Sequence, residues 1–294
     1  MPELPAVGNR VSIRYRVPDG LTDVIGQLEA VNPTVRVRTK SDGVIDVDPD
    51  SIVTVRELSH RTVRNSEIRA LEHAAALAWP GTEQRWVNGW FLRAAHGHTS
   101  RANSAVPLEM SAILADLPEI VDWYRRRDLP AWLALPERLL RVAAEGVKEN
   151  RVMVCDNLAR PPHADVTFLD VPDAAWLTAY EREVPVEVLT AVVDGEVTFA
   201  SIAGATVGRG AVTTAPGGTR WLGISSVRVA DARRRRGHAR AICEALLNWG
   251  VEHGATRCYV QVLADNSPAI SLYESLGFGL HHRVRYVDAE SLLR

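Results

Sequence analysis

Apolar and polar residues alternate along 11–17 (Val-Ser-Ile-Arg-Tyr-Arg-Val), which is the period of a half-buried strand. Short apolar runs at 23–31, 34–39, 44–47 and 52–56 follow, cut by Asp19-Gly20, Asn32-Pro33, Ser41-Asp42-Gly43 and Asp48-Pro49-Asp50. This spacing predicts a small barrel of SH3-like type over residues 1–58. Beyond it the period changes. Residues 66–77 read as a helix with Ile68, Leu71, Ala75 and Ala78 on one side. Residues 85–93 and 100–106 read as a strand pair joined at His96-Gly97-His98, before a longer helix at 113–127 and a strand at 151–156. Arg160-Pro161-Pro162-His163 reads as the connector between a second segment, 59–160, and a third, 161–294.

In the third segment, 173–183 reads as a helix, and strands at 186–193 and 197–203 flank Asp194-Gly195, a hairpin signal. A strand at 220–229 leads to Ala239, Ile242, Cys243, Leu246 and Trp249 at helical spacing, with Gly254 as the stop. A strand at 257–263, a short helix opened by Ser267-Pro268 and ended by Gly277, and a closing strand at 280–287 complete the chain. The expected class is α+β, a mixed sheet with helices on it.

Candidate chemistry gathers where the strand at 220–229 meets the helix after it. There Arg234-x-x-Gly237-x-Ala239 leaves the backbone open just before a helix N-terminus. The first N–H groups of a helix have no partner inside it and lie at the positive end of its dipole. Such a turn suits a pyrophosphate, and arginines at its mouth add charge-assisted contacts. Downstream, Asn266 opens the short helix, Tyr273 follows seven residues later, and Gly277-Phe278 closes it.

These two motifs, in this order, resemble the second half of the GCN5-related N-acetyltransferase (GNAT) family, in which an Arg/Gln-x-x-Gly-x-Gly/Ala loop grips coenzyme A. The resemblance implies acetyl transfer from acetyl-CoA to an amine, with coenzyme A as co-substrate and no metal. It implies that the backbone of Val227, Arg228 and Val229 pairs with the pantetheine arm. By the same resemblance Arg235, Arg236, Gly237, His238, Ala239 and Arg240 wrap the pyrophosphate, Arg234 shapes the turn, and Asn266 touches the pantetheine. Tyr273 would face the thioester sulfur; its reference pKa of about 10 exceeds the roughly 8.5 of a thiol, so it suits a proton donor. Asn266 and Tyr273 also have structural readings, as a helix cap and as a core side chain. Gly89-Trp90 with Arg101-Ala102-Asn103-Ser104 resembles the front half of two-part members of this superfamily. Residues 59–160 contain no phosphate loop and are not expected to hold coenzyme A. The whole layout resembles an actinobacterial histone acetyltransferase-like group.

One position departs from the family. Many relatives carry a glutamate five residues before the asparagine, to deprotonate the amine through water; here that residue is Gln261. The base is unassigned: Gln261 positions a water, a carboxylate from elsewhere acts, or the amine arrives neutral. His281-His282 lies on the closing strand, where one of the pair could face the acceptor.

Composition adds bounds. The 294 residues carry a net charge of −2, which announces neither a nucleic-acid nor a membrane partner. Cys155, Cys243 and Cys258 read as buried thiols, and Met-Pro-Glu-Leu-Pro at the N-terminus lacks signal-peptide character, so a cytoplasmic protein is expected. His96-x-His98 lacks a third ligand and reads as a loop, not a metal site. Two other function classes remain: a coenzyme A-binding regulator with little turnover, favoured by Gln261, and nucleic-acid attachment through Arg10, Arg14, Arg16, Arg36 and Arg38. The amine acceptor, a protein lysine or a small molecule, and the oligomeric state are not readable from the sequence.

Overall fold

The computed structural model describes residues 4–41, 43–59, 62–163 and 165–293, so Asp42, the middle of one expected turn, lies outside the described residues. The chain divides into two compact units, residues 1–63 and 64–294.

The first unit is one antiparallel sheet of β1 (Arg10–Val17), β2 (Gly20–Ala30), β3 (Val35–Arg38), β4 (Val44–Val47) and β5 (Ile52–Glu57), in the order β4-β3-β2-β1-β5. The alternation read from the sequence puts Val11, Ile13, Val24, Leu28, Val35, Val37 and Val47 in its core. Three of its outward arginines, Arg14, Arg36 and Arg38, are matched to acids on the neighbouring strand. Arg14 stands opposite Asp23 and Arg36 opposite Asp46, each pair bridged at 2.8 Å, and Arg38 bridges Glu29. A face neutralised in this way offers little to a phosphate backbone, which is bound by unpaired Lys and Arg.

The second unit opens with α1 (Asn65–Ala78) and a small sheet of β6 (Glu83–Val87), β7 (Trp90–Ala94) and β8 (Val106–Pro107). Then come α2 (Leu117–Arg125), β9 (Trp132–Pro136), β10 (Lys148–Cys155), β11 (Thr167–Leu169), α3 (Ala174–Tyr180) and α4 (Val186–Thr190). The remainder is β12 (Glu196–Ile202), β13 (Thr206–Thr214), β14 (Arg220–Val229), α5 (His238–Glu252), β15 (Arg257–Leu263), α6 (Ser267–Ser275) and β16 (Gly279–Asp288). Eight strands form one mixed sheet, β11-β12-β13-β14-β15-β10-β16-β9, in which only β14 and β15 run parallel. Residues 59–160 and 161–294, read as two segments, share this sheet: β10 lies between β15 and β16.

Several expected elements differ. The strand expected at 186–193 is a helix, α4, because Val188 and Leu189 turn into a pocket with Trp79, Trp176 and Phe199; packing outweighs β-branched propensity. Asp194-Gly195 therefore joins a helix to a strand. The hairpin lies one strand later, at Ala203-Gly204, both at positive φ (47° and 61°) between β12 and β13. The strand β13 went unread because Gly208 and Gly210 look like a loop. A Cβ on either would press on Ile242 or Leu246 of α5 (2.6 and 2.9 Å), so glycine there admits the helix onto the sheet. Residues 85–93 are a hairpin in themselves, turning at Asn88-Gly89 (φ 43° and 88°), and β7 pairs with the short β8. The helix expected at 113–127 begins as a 3-10 turn, Leu114–Asp116, before α2.

One buried cation locks α1 to the sheet. Arg209 on β13 is 1% exposed; its Nη2 donates to the carbonyls of Ala78 (2.9 Å) and Ala191 (3.0 Å), and its Nε to Leu189 (2.6 Å). Burial pushes its guanidinium down to about 9, and the ring of Trp79 lies 4.3 Å from it. The Thr213 hydroxyl adds a bond to Ala74 O at 2.8 Å. Helix α1 is thus held in a fixed register over the sheet, which matters for what it carries.

Candidate active site

The parallel pair β14 and β15 is in register from Trp221↔Arg257 only to Ile224↔Val260, yet β14 runs on to Val229 and β15 to Leu263. Beyond Ile224 the two strands part. β15 stays paired with β10 through Asn150↔Leu263, and β14 stays paired with β13 through Thr206↔Val229. The ladder to β13 is bulged at this point, and Ser226 takes a left-handed φ of 56°. Val227, Arg228 and Val229 are therefore left with one edge that no strand covers among the described residues. Within the same stretch the buried Ser225 Oγ has no hydrogen-bond partner among the described residues. The Arg228 side chain reaches away to Glu181, past the end of α3.

At the end of β14 the chain makes a 3-10 turn, Asp231–Arg233, and Arg234 folds back on Asp231 at 2.6 Å, stiffening the turn. Arg235 and Gly237 both adopt left-handed backbone (φ 60° and 79°). Gly237 is the N-cap of α5 and supplies no side-chain cap, so the N–H groups of the first turn, His238, Ala239 and Arg240, are not closed off by the cap residue. A Cβ on Gly237 would meet nothing within 4 Å, which marks open space in front of the helix. Arg235 and Arg236 are exposed and make no ion pair among the described residues. Arg240 differs: its Nη2 donates to Ser275 Oγ (2.7 Å) and its Nη1 lies 3.4 Å from Glu244, so it ties α5 to α6.

Helix α6 is capped by Asn266, whose Oδ1 accepts from the Ala269 N–H at 3.2 Å. The helix-cap reading of Asn266 holds, and Ser267 beside it is the first residue of the helix. Two turns on, Tyr273 is 8% exposed, with Phe278 beside its ring and Cys243, Cys258, Ile224 and Val260 in the same cluster. Its hydroxyl makes no hydrogen bond among the described residues. Burial raises the phenol above its ordinary value, with the nearby Cys243 and Cys258 adding to the shift, so Tyr273 is a neutral donor at any physiological pH. Both of these cysteines are deeply buried; Cys243 is pushed up to about 12.

Alternation along β15 separates two faces. Cys258, Val260 and Val262 pack with α5 and α6, whereas Tyr259 belongs to the cluster under α1. Gln261 shares the face of Tyr259, and its Nε2 donates to Oε1 of Glu72 on α1 (3.3 Å). The same oxygen lies 3.0 Å from Nε2 of His282, whose Nδ1 lies 2.8 Å from Nδ1 of His281. Glu72 is 5% exposed and both histidines 0%, so neither histidine lines an open surface. Register explains the meeting: Val152 of β10 pairs with Gln261 on one side and His282 on the other. Sequence reading missed Glu72, although a signal was present. Ile68, Leu71, Glu72 and Ala75 follow the i, i+3, i+4, i+7 spacing, which places a carboxylate inside an apolar stripe.

His96 and His98 lie in the turn after β7, and among the described residues no cluster of His, Cys, Asp and Glu is arranged to hold a metal. The three consecutive arginines at the end of α2 are tied up by acids: Arg126 with Asp122, Arg127 with Glu83 at 2.8 Å, and Arg125 with Glu290 at 3.8 Å. No described helix is long and apolar enough to cross a membrane.

Comparison with known proteins agrees with this layout. Residues 65–287 match the family model described as "Probable histone acetyltransferase Rv0428c C-terminal", and residues 5–56 match "Rv0428c N-terminal Sm-like domain". The small β unit is thus described as Sm-like, where the sequence suggested the SH3-like type. Over 295 residues the chain is 49% identical to the "Probable histone acetyltransferase Rv0428c" of Mycobacterium tuberculosis, covering 98% of this chain and 97% of the relative. It is 23% identical to the "Uncharacterized N-acetyltransferase YobR" of Bacillus subtilis, over 74% of this chain and 99% of that one. Among solved structures, a GCN5-related N-acetyltransferase from Kribbella flavida superimposes with a TM-score of 0.55 at 15% identity, covering 78% of this chain and 96% of that chain. The chain belongs to the Rv0428c family of N-acetyltransferases, with the GNAT fold.

Proposed function

We propose that the protein transfers the acetyl group of acetyl-CoA to a primary amine, and that the parting of β14 from β15 is the donor site. The observation that carries this reading is the uncovered edge of Val227–Val229 leading directly into an N-terminus of α5 that no side chain caps. A pantetheine arm contains two amides and can pair with a strand edge as a peptide does. A pyrophosphate suits the next stretch, where Arg235 to Arg240 present backbone N–H groups and Gly237 leaves room for close approach. Arg234 holds the turn through Asp231, Asn266 caps α6, and Tyr273 two turns on packs with Ile224 and Val260, the last pair in register between β14 and β15. The hydroxyl of Tyr273, neutral and unpartnered, is suited to donate to the sulfur as it leaves.

Residues 59–160 supply α1 and the small sheet but no phosphate loop, so this part lends surface to the acceptor side and holds no second coenzyme A. The name of the Mycobacterium tuberculosis relative directs the choice of acceptor toward lysine side chains of a basic protein. A small-molecule amine is the alternative, since fold and donor site do not fix the acceptor. The test is an assay of thiol release and acetylated product over lysine-rich peptides, polyamines and aminoglycosides. Amine-dependent thiol release with acetylated product supports the reading. Binding of acetyl-CoA with no transfer to any amine would instead make this a coenzyme A-responsive regulator.

A further inference from the structure

We propose that Glu72, delivered by α1, is the proton acceptor for the incoming amine, taking the place of the glutamate that β15 lacks. The assignment rests on the acetyltransferase reading above and goes beyond it by naming the base. Gln261 comes one residue after Val260, the last residue of β15 in register with β14, and so stands at the mouth of the gap. An amide cannot take a proton near neutral pH. The group it touches is a carboxylate.

The surroundings hold Glu72 as a base would need to be held. Oε1 accepts from Gln261 Nε2 and from His282 Nε2, while Oε2 receives no hydrogen bond among the described residues and is left to accept from an ammonium or a water. With His282 donating through Nε2 to the carboxylate, its Nδ1 is the acceptor in the contact with His281, whose Nδ1–H donates. This neutral tautomer pair satisfies both contacts and holds the carboxylate's orientation, so His282 is a positioning residue. Arg93 on β7, Tyr259 on β15 and Tyr286 on β16 are the other titratable groups within electrostatic reach of Glu72. Across the sheet, Tyr273 occupies the opposite face. Base and acid thus lie on opposite faces of the sheet, one assigned to the entering nitrogen and one to the leaving sulfur.

The step balances as follows. The ammonium gives one proton to Glu72 Oε2. The nitrogen then forms its bond to the acetyl carbon while the carbon–sulfur bond breaks. Sulfur takes a proton from Tyr273, the nitrogen's second proton restores Tyr273, and Glu72 returns its own to solvent.

The experiment compares Glu72→Gln with the parent on whichever amine the parent uses best among a lysine-rich peptide, spermidine and an aminoglycoside. Fold is followed by melting temperature and acetyl-CoA affinity by calorimetry. The expected result at neutral pH is unchanged acetyl-CoA affinity with kcat/KM lower by about 10²–10⁴. That deficit should shrink as pH rises toward the acceptor amine's own pKa, about 10.4 where it is a lysine, because solvent then supplies the neutral amine. A purely structural role would lower activity at every pH alike. The exchange variant Glu72→Gln/Gln261→Glu keeps the hydrogen bond and moves the carboxylate onto β15; it should restore kcat/KM to within about tenfold of the parent. Should the single variant fail to fold, the exchange variant is read directly against the parent. A folded exchange variant without activity overturns the assignment, as does a folded Glu72→Gln with the parental pH profile. A parent that acetylates no amine overturns the acetyltransferase reading itself and this proposal with it.

Discussion

Glu72 and Gln261, 189 residues apart in the chain, share a hydrogen bond of 3.3 Å on the face of the sheet that α1 covers. The contact depends on three others far from it: Arg209 to Ala78, Thr213 to Ala74, and the N–H of Val193 to Leu77 O at 3.0 Å. Together they set the position of α1 over β13. A segment with no phosphate loop thereby supplies the carboxylate that Gln261 touches.

Removing one oxygen tests the acid. Tyr273→Phe leaves the ring packed beside Phe278 and takes away a hydroxyl with no partner among the described residues, so melting temperature and acetyl-CoA affinity should be unchanged. Turnover should fall by about 10²–10⁴, the range for a positioned acid. Steady-state kinetics beside calorimetry would show it; full turnover in this variant removes tyrosine from the mechanism.

The buried cation at Arg209 offers a stability test remote from the gap. Arg209→Met fills similar space but leaves the carbonyls of Ala78, Leu189 and Ala191 without their donor, at a cost on the order of 3 kcal/mol. In a unit of this size that lowers the melting temperature by roughly 6–12 °C. Arg85→Ala, which breaks an exposed bridge to Glu119, should cost less than about 1 kcal/mol. Equal effects of the two would contradict the weight given to Arg209.

The paired arginines of the small β unit predict weak, nonspecific nucleic-acid affinity at most. In a filter-binding titration at physiological salt, the isolated effect of Arg36→Ala should be undetectable, since Arg36 already has Asp46 opposite it. A large loss of binding on that substitution would return the unit to the nucleic-acid reading.

Legibility followed locality. The turn at Arg234–Gly237 and the helix opened by Asn266 were readable because each is built from consecutive residues with strong backbone preferences. Strand β14 and strand β4 were bounded correctly for the same reason. Strand β13 was hidden by Gly208 and Gly210, whose purpose appears only when α5 lies against them. Helix α4 was misread because Val186, Val188 and Thr190 favour strands in isolation. At Asn88-Gly89 a strong hairpin signal was present and was passed over in favour of His96-Gly97-His98. Glu72 belongs to another class: its partner lies on a strand nearly the length of the unit away, and no local pattern names that partner.

The donor site itself is tested most directly by calorimetric titration of acetyl-CoA into the parent, Gly237→Ala and Gly237→Glu. The account predicts one acetyl-CoA per chain for the parent. It predicts a modest loss for Gly237→Ala, from the left-handed backbone at φ 79° alone, and a loss beyond about tenfold (about 1.4 kcal/mol) for Gly237→Glu, where a carboxylate meets the pyrophosphate. Parental affinity in Gly237→Glu, or two acetyl-CoA per chain in the parent, would contradict it.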